Sequence, residues 1–408
     1  MDLNSHPVFV VLAIAVVASL LAEIRFGILR VPVVVWEMLL GILIGPQVLG
    51  LVKGGGLLQW LGDTLGLAAL FFMAGLDLDL QKVKGRPLSL ALRGWVLSLG
   101  LALGATVLLH SLPFLRAPTM VALVLTTTAM GTFLPILRDA GHLDTRFGTY
   151  VLAAGAVGEF APVVVVSLVL THEYGAWQEV ALMLAFAAVA FGAALIALGL
   201  RPPKVLALLD RSMNSSTQLP IATSMLLLVS FDLLSRRVGL EAVLGSFAAG
   251  MVVGLASQGE PGKLFRQKIE ALCFGFFVPF FFVVSGINLD LGALLHTTKS
   301  MLLVPLFLLL FLVVRGAPVF LYSNEMPKYQ RLPFALYSAT ALPMVVAITN
   351  VGVRTGHLRT DIAAALVGAA LMSVLLFPAL AGVLLSKSPP AARDVDNEVA
   401  TTGSHHNY

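Results

Sequence analysis

Long apolar runs recur along almost the whole of this 408-residue chain. Each run approaches or reaches the ~20 residues that an α-helix needs to cross the hydrocarbon core of a bilayer. Soluble domains rarely contain such a series, and about a quarter of their residues are charged. Here 58% of the residues are hydrophobic, 12% are charged, and the mean hydropathy is +0.94. The sequence therefore predicts an all-α membrane protein that crosses the bilayer many times.

Apolar composition and polar boundaries predict thirteen transmembrane helices. The predicted spans, numbered one to thirteen, are 7–24, 32–51, 57–78, 88–112, 118–137, 146–171, 177–200, 218–235, 240–257, 270–288, 300–322, 332–352 and 361–386. A polar linker, 201–217, lies near the middle of the chain. We expect a transmembrane domain over 1–387 and a disordered cytoplasmic tail over 388–408.

The distribution of Lys and Arg predicts the orientation, because cytoplasmic loops carry an excess of both. With the N-terminus outside, seventeen Lys and Arg fall on the inner side and seven on the outer side. We therefore expect an outside N-terminus and a cytoplasmic C-terminus. The net charge of +4 is attributed to this topology and not to nucleic-acid binding. The one cysteine, Cys273, allows no internal disulfide or metal cluster, and we expect no cofactor.

Short phrases repeat at a nearly constant offset. GLDLDL at 75–80 resembles GINLDL at 286–291, GILIG at 41–45 resembles GMVVG at 250–254, and TAM at 128–130 resembles TAL at 340–342. The offsets are 211, 209 and 212, and an odd number of predicted helices separates the copies. This pattern predicts two inverted six-helix repeats joined by a linking helix at 177–200. Inverted repeats are typical of secondary transporters; chance similarity between helix ends is the alternative.

Spans five and twelve occupy matching places in the two repeats, and both contain polar and proline interruptions. Pro removes a backbone donor, and hydroxyls compete for the carbonyls of the preceding turn. We expect two broken helices whose hydroxyls and freed carbonyls can coordinate a small cation, although small polar residues also occur at ordinary helix interfaces. The candidates are Thr127, Thr128 and Thr132 in span five and Ser338, Thr340 and Asn350 in span twelve.

Charged residues inside the spans are costly and therefore informative. Glu159 lies near the middle of span six, and Arg315 lies within span eleven. Glu37 and Asp232 lie nearer to helix ends, so we expect structural or capping roles for them. Asp77, Asp79 and Asp290 end their helices and are expected at the membrane interface. The alternative for Glu159 is a purely structural ion pair with Arg315.

A membrane-embedded glutamate can serve both partners of an exchange. When it is ionised, Glu159 offers hard oxygen ligands to a monovalent cation; when it is protonated, it is neutral and carries the proton instead. One carboxylate that exchanges one proton for one cation moves no net charge. The residues therefore predict electroneutral exchange.

Five phrases together resemble the monovalent cation:proton antiporter family, in its branch of bacterial sodium/proton antiporters and potassium-efflux proteins. The phrases are VVVWEMLLGILIGPQVLGLV at 33–52, LFFMAGLDLDL at 70–80, TTTAMGTFLPILRDAG at 126–141, LGSFAAGMVVG at 244–254 and VPFFFVVSGINLDL at 278–291. The resemblance covers 7–386. It implies a homodimer in which helices five and twelve cross at the ion site. It also implies a moving core within 88–171 and 300–386 and a scaffold within 7–78 and 218–288.

The resemblance also assigns site residues. The family usually carries Asp-Asp or Asn-Asp in helix six, and this chain has Gly158 and Glu159 at the matching place. Glu159 keeps the carboxylate that would bind the cation or the proton, and Gly158 has no side chain. Arg315 matches the basic residue of the family's eleventh helix.

The sequence thus predicts a transporter, not an enzyme, that exchanges sodium or potassium for protons by alternating access. A sodium-coupled symporter of organic anions with a similar inverted core remains an alternative, and so does a gated cation channel. Hydroxyl and carbonyl oxygens serve sodium, potassium and lithium alike, so the sequence does not select among them.

Overall fold

All regular structure in the described part of the chain is helical. The computed structural model describes residues 6–24, 31–77, 85–108, 118–143, 145–170, 188–189, 192, 217–237, 242–257, 260–292 and 298–386. The helices are α1 (His6–Glu23), α2 (Val33–Ile44), α3 (Gly56–Trp60), α4 (Leu67–Leu76), α5 (Arg86–Leu108), α6 (Pro118–Leu125), α7 (Met130–Asp139), α8 (Arg146–Leu170), α9 (Leu219–Arg237), α10 (Ala242–Ala256), α11 (Glu260–Leu272), α12 (Val278–Ile287), α13 (Thr298–Gly316), α14 (Lys328–Ala339), α15 (Pro343–Arg354) and α16 (Thr360–Ser386).

Three irregular helical segments connect some of these elements. The π-helical segments Leu61–Gly66 and Cys273–Phe277 join α3 to α4 and α11 to α12. The 3₁₀ segment Ala317–Tyr322 follows α13. Each π-helical segment continues its helix without a polar loop, so α3 to α4 and α11 to α12 form long apolar spans.

Eight helical spans in the described residues are long and apolar enough to cross a bilayer. They are Gly56–Leu76, Arg86–Leu108, Arg146–Val166, Leu219–Arg237, Gly262–Ile287, Met301–Tyr322, Lys328–Arg354 and Thr360–Ser386. The protein is therefore a multi-pass membrane protein. The predicted linking helix at 177–200 lies outside the described residues except for a few positions, as do the predicted tail and Asp79. The count of thirteen helices and the inverted repeats remain predictions.

The predicted start of span ten, at residue 270, is wrong. Helix α11 begins at Glu260, ten residues earlier. Phe265, Ile269 and Cys273 are buried at a spacing of four residues, which places them on one face of the helix. Charged residues on the remaining faces lower the average hydropathy of this segment. The start of α11 is therefore indicated by an amphipathic pattern and not by an apolar run.

The chain divides into two compact units. The first comprises Met1–Ser19, Glu37–Asp79 and Val163–Asn288, and the second comprises Leu20–Trp36, Leu80–Pro162 and Leu289–Tyr408. Both predicted broken helices belong to the second unit. Which residues move and which form a scaffold is a property of the transport cycle, and that division stays a prediction.

In the first unit, glycines bring α4 and α10 into backbone contact. A Cβ atom on Gly75 would overlap the carbonyl oxygen of Phe247, and a Cβ on Gly250 would overlap that of Phe72. Any larger residue at either position would force the helices apart. The repeated phrases GLDLDL and GMVVG therefore supply the two faces of one tight helix pair.

The same reciprocal contact joins α2 to α12. A Cβ on Gly41 would overlap the carbonyl oxygen of Val283, and a Cβ on Gly286 would overlap that of Met38. Gly41 and Gly286 come from GILIG and GINLDL, the other copies of the two phrases. GLDLDL thus packs against GMVVG, and GINLDL packs against GILIG. Both helix pairs need a surface without side chains, which explains the glycine in each phrase.

In the second unit, α16 packs against both α13 and α14, and α5 packs against α6 and α13. Helix α14 is buried over its C-terminal half, from Pro333 to Ala339. The helix ends that contain the candidate site residues therefore lie within this unit's interior.

Candidate functional site

Span five is interrupted between α6 and α7. The hydroxyl of Thr126 donates to the carbonyl of Leu123 at 2.7 Å, and that of Thr127 donates to Val124 at 2.8 Å. These bonds engage carbonyls of the last turn of α6, which is how Thr competes with helix continuation. The backbone from Thr127 is non-helical until α7 begins at Met130.

Span twelve is interrupted between α14 and α15. Thr340 is extended, with φ −70° and ψ 120°, and Leu342 is also non-helical, with φ −149° and ψ −62°. Helix α15 then begins at Pro343. Pro disfavours a helical conformation in the residue before it and has no N–H to donate, so it suits the first helical position.

The two interruptions contact each other directly. The Ala129 amide donates to the Thr340 carbonyl at 2.7 Å. The Thr128 hydroxyl donates to the Ser338 carbonyl at 2.6 Å. We use "the junction" for these two segments, 126–129 and 338–342. The predicted breaks in spans five and twelve are thus present, and they meet within one unit.

Helix α8 is tied to the junction through a proline. Pro162 lies inside α8 and cannot donate to the carbonyl four residues earlier, which belongs to Gly158. That carbonyl accepts the amide of Thr128 at 3.0 Å instead. The proline thus releases an acceptor one residue before Glu159, and the junction uses it.

Arg315 lies beside the junction and is 4% exposed. Its Nε donates to the Thr128 hydroxyl at 2.9 Å and approaches the Ser338 carbonyl at 3.4 Å. Its Nη1 donates to the Ser98 hydroxyl at 3.3 Å, and its Nη2 donates to the Ala154 carbonyl at 3.1 Å. All four described hydrogen bonds of the guanidinium end on neutral oxygens.

Gly158 leaves the space that the guanidinium needs. A Cβ atom at this position would overlap Nη2 of Arg315 and would lie 2.5 Å from Oγ1 of Thr128. An acidic residue, which the sequence resemblance would lead one to expect at position 158, does not fit in this chain. The guanidinium of Arg315 occupies the place that its side chain would need.

The other predicted site residues lie as follows. Glu159 follows Gly158 on α8 and is partly exposed. The Thr132 hydroxyl donates to the Ala129 carbonyl at 2.8 Å, and the Thr340 hydroxyl donates to a carbonyl of its own helix. Asn350 lies in the C-terminal half of α15. The junction therefore contains Thr127, Thr128, Ser338 and Thr340, and Gly158 and Arg315 contact it through Thr128.

Several polar groups at the site were not predicted from the sequence. Ser98 and the Ala154 carbonyl bind Arg315, and the Ser373 hydroxyl bonds to both the amide and the carbonyl of Ala341 at 3.0 Å. The hydroxyls of Tyr337 and Ser338 are buried and have no hydrogen-bond partner among the described residues. In the sequence, Ser98 and Ser373 are single serines in the apolar spans four and thirteen. Such a serine does not indicate which distant residue its side chain contacts.

Glu37 was predicted to have a structural or capping role near a helix end, and that role stays a prediction. The residue is 2% exposed, and its Oε2 has no hydrogen-bond partner among the described residues. The apolar surroundings of its helix thus enclose the side chain instead of leading it to the surface. The Asp232 carboxylate pairs with Arg236 one helical turn later, at 3.0 Å, as a structural role requires.

A second polar cluster surrounds Glu325, between the 3₁₀ segment and α14. This buried carboxylate forms salt bridges with Arg86 and Arg146, at the starts of α5 and α8, and accepts the Tyr150 hydroxyl at 2.5 Å. The hydrogen bonds from Tyr150 and Arg146, together with the charges of both arginines, hold the pKa of Glu325 below its ordinary value. The cluster fixes the ends of three helices of the second unit.

The sequence matches the family described as "Sodium/hydrogen exchanger, transmembrane" over residues 12–387. It is 27% identical to YjbQ of Bacillus subtilis over 390 residues, which are 90% of this chain and 61% of YjbQ. It is 28% identical to the Na(+)/H(+)-K(+) antiporter GerN of Bacillus cereus over 269 residues, which cover 63% of this chain and 65% of GerN. The chain thus spans less than two thirds of the length of these two relatives.

The fold is similar to that of the sodium proton antiporter MjNhaP1 from Methanocaldococcus jannaschii, solved at pH 8. The TM-score is 0.64 at 19% sequence identity, and the alignment covers 93% of this chain and 98% of the other. This comparison shows a shared fold. The family match over residues 12–387 shows that the chain belongs to the family of transmembrane sodium/hydrogen exchangers.

Proposed function

We propose that this protein is a secondary active transporter that exchanges a monovalent cation for protons by alternating access. The observation that carries the proposal is the junction: two interrupted helices contact each other and the helix that bears Glu159. Interrupted helices present carbonyl and hydroxyl oxygens inside a membrane protein, where they serve as ligands for small cations. The names of relatives such as GerN favour sodium and potassium as the cations.

Glu159 is proposed as the shared carrier of cation and proton. It lies on α8 next to Gly158, whose carbonyl is bound to the junction. The charge of Arg315 is met by four described bonds to neutral oxygens, which favours a role for Glu159 beyond that of a structural counterion. Thr127, Thr128 and Thr132 are the proposed neighbouring ligands, and Ser338, Thr340 and Asn350 are proposed to support the site.

The stoichiometry is proposed to be one cation per proton. The family's usual acidic pair is represented here by Gly158 and Glu159, so this place offers one carboxylate. One carboxylate that is alternately neutralised by a proton and by a monovalent cation carries no net charge in either half of the cycle. We further propose a homodimer in a bacterial inner membrane, with the N-terminus outside and the C-terminus in the cytoplasm.

The test is made with purified protein in liposomes that enclose a pH-sensitive dye. With an acidic interior, sodium or potassium added outside should raise the internal pH, at a rate that saturates with cation concentration. A flux that rises linearly with concentration would favour a channel. Proton-independent sodium uptake that requires an organic anion would favour a symporter. Either result would remove the exchanger proposal.

A further inference from the structure

The guanidinium of Arg315 occupies a set of oxygens that resembles a cation site. The set consists of two hydroxyls, from Ser98 and Thr128, and two carbonyls, from Ala154 and Ser338, at 2.9–3.4 Å from the guanidinium nitrogens. Neutral hydroxyl and carbonyl oxygens are the groups that replace the water shell of sodium and potassium in selective sites. A guanidinium is itself a monovalent cation, and a smaller free ion in its place would reach these oxygens through bound water or by their inward movement.

Two further features indicate that the space around the guanidinium suits a cation. Gly158 has no side chain where a Cβ would overlap Arg315 and crowd Thr128, so this space is kept for the guanidinium. Ser338, whose carbonyl contacts Arg315, also has a buried hydroxyl, and this hydroxyl has no hydrogen-bond partner among the described residues. Buried polar groups normally have a partner, and a cation or its water would supply one.

We propose that Arg315 is a tethered cation that fills a latent binding site for a free monovalent cation. The ligands of this site are the oxygens of Ser98, Thr128, Ala154 and Ser338. With the guanidinium in place, no free cation enters; without it, the site binds one sodium or potassium ion. This second site is distinct from the proposed exchange site at Glu159, and its occupancy can be measured without transport.

The latent site would also limit the exchange to one cation. If Arg315 keeps this set occupied throughout the cycle, the transported cation binds at Glu159 and shares with the latent site only the remaining lone pair of the Thr128 hydroxyl oxygen. This consequence rests on the proposed function, whereas the existence of the latent site does not.

The experiment measures equilibrium binding of radioactive sodium, and of rubidium as a probe for potassium, to purified full-length protein. Glu159→Gln is the background, since it removes the proposed carrier. Glu159→Gln alone should bind no cation, and Glu159→Gln with Arg315→Ala should bind one per chain. Free guanidinium ion should compete for that site, and tetramethylammonium at the same concentration should not. Arg315→Lys in the same background keeps a tethered charge and should bind none.

Loss of one ligand oxygen tests the location of the site. In the double variant, Thr128→Val should weaken cation binding at least tenfold. Thr106→Val is the matched control: its hydroxyl is also buried in the second unit, but it donates to the Leu103 carbonyl of its own helix, and its loss should leave binding unchanged.

The outcomes separate the two proposals. Cation binding by Glu159→Gln alone, at wild-type affinity, would contradict the proposed carrier; a second bound cation in the double variant would then still support the latent site, and an unchanged number of bound cations would overturn it. A folded double variant that binds no cation would overturn the latent site. If the double variant does not fold, recovery of monodisperse protein when guanidinium is supplied would support the site, and failure of guanidinium to recover it would count against it.

Discussion

Gly158 and Arg315 fit together as an absent side chain and a large one. The guanidinium lies where the Cβ of residue 158 would be. Its four neutral partners come from α5, from α14, from the interruption between α6 and α7, and from the turn of α8 that precedes Gly158. A buried charge requires such a set of hydrogen bonds, because its separation from water is costly. Glycine is therefore needed at position 158 because a larger residue would not fit, and not because the backbone requires a conformation that only glycine adopts.

Gly158→Ala should destabilise the protein by about 1–3 kcal/mol, since overpacking a filled interior displaces its neighbours. Gly155→Ala is the control on the same helix: the atoms nearest to its Cβ would be side-chain atoms of Phe133 and Met130, at 3.1 Å or more. Thermal unfolding in detergent measures both. Equal losses in the two variants would show that Arg315 does not use the space at Gly158.

Glu325 should make the stability of the second unit depend on pH. Because its pKa is lowered in the folded state, its contribution is complete above its unfolded pKa of about 4.3. The contribution is lost as the pH falls through the lower folded pKa. Glu325→Gln should cost about 1–3 kcal/mol at pH 7, by the loss of charge-assisted hydrogen bonds.

The difference between Glu325→Gln and the wild-type protein should therefore shrink as the pH is lowered below about 4. Unfolding temperatures of both proteins, measured in detergent from neutral to acidic pH, test this. A difference that stays constant over the whole range would mean that the charge of Glu325 contributes nothing and that only the shape of the side chain matters.

At the scale of helices, backbone contact explains the repeated glycine phrases. Gly75 and Gly250 remove the side chains that would hold α4 and α10 apart, and Gly41 and Gly286 do the same for α2 and α12. Small residues permit this close approach, which membrane helices use because burial of apolar surface gives little advantage inside lipid.

Gly250→Ala should lower the unfolding free energy by about 1–3 kcal/mol, because the added methyl would overlap a backbone carbonyl that cannot rotate away. Gly104→Ala on α5 is the control, since nothing lies within 4 Å of its Cβ. Alanine there should be neutral or stabilising, as it favours the helix over glycine. A destabilisation by Gly104→Ala as large as that by Gly250→Ala would refute the packing explanation.

The sequence predicted the helices better than it predicted their contacts. Thr and Pro signals located both interruptions, because each residue acts on its own turn of backbone. The meeting of Thr128 with Ser338, and of Arg315 with Ser98, depends on packing between distant segments, for which no local signal exists. Glu325 lay in a short polar loop, where a single carboxylate resembles any solvated residue. The start of α11 was missed because apolar averages conceal amphipathic helices.

At the scale of the whole molecule, the number of titrating carboxylates determines the response to voltage. With Glu159 as the one exchanging carboxylate, a membrane potential should neither drive nor slow cation uptake. Glu37 is the test of this view, because its carboxyl is buried. Liposomes with one and the same potassium gradient, compared with and without valinomycin, measure the effect of the potential on sodium uptake.

Voltage-driven sodium uptake would show that a second group carries protons. If Glu37→Gln then abolished the voltage dependence but kept the exchange, Glu37 would be that group. If the voltage has no effect on the wild-type protein, Glu37→Gln should leave the stoichiometry unchanged.

Replacement of Glu159 tests the central claim most directly. Wild-type, Glu159→Gln and Glu159→Asp proteins are reconstituted at equal density, and cation-dependent proton efflux is measured with sodium and with potassium. Glu159→Gln keeps the shape without the charge and should abolish exchange while the protein remains folded. Glu159→Asp keeps the carboxylate with a shorter reach and should retain exchange with an altered cation affinity. Full exchange by folded Glu159→Gln protein with either cation would contradict the account.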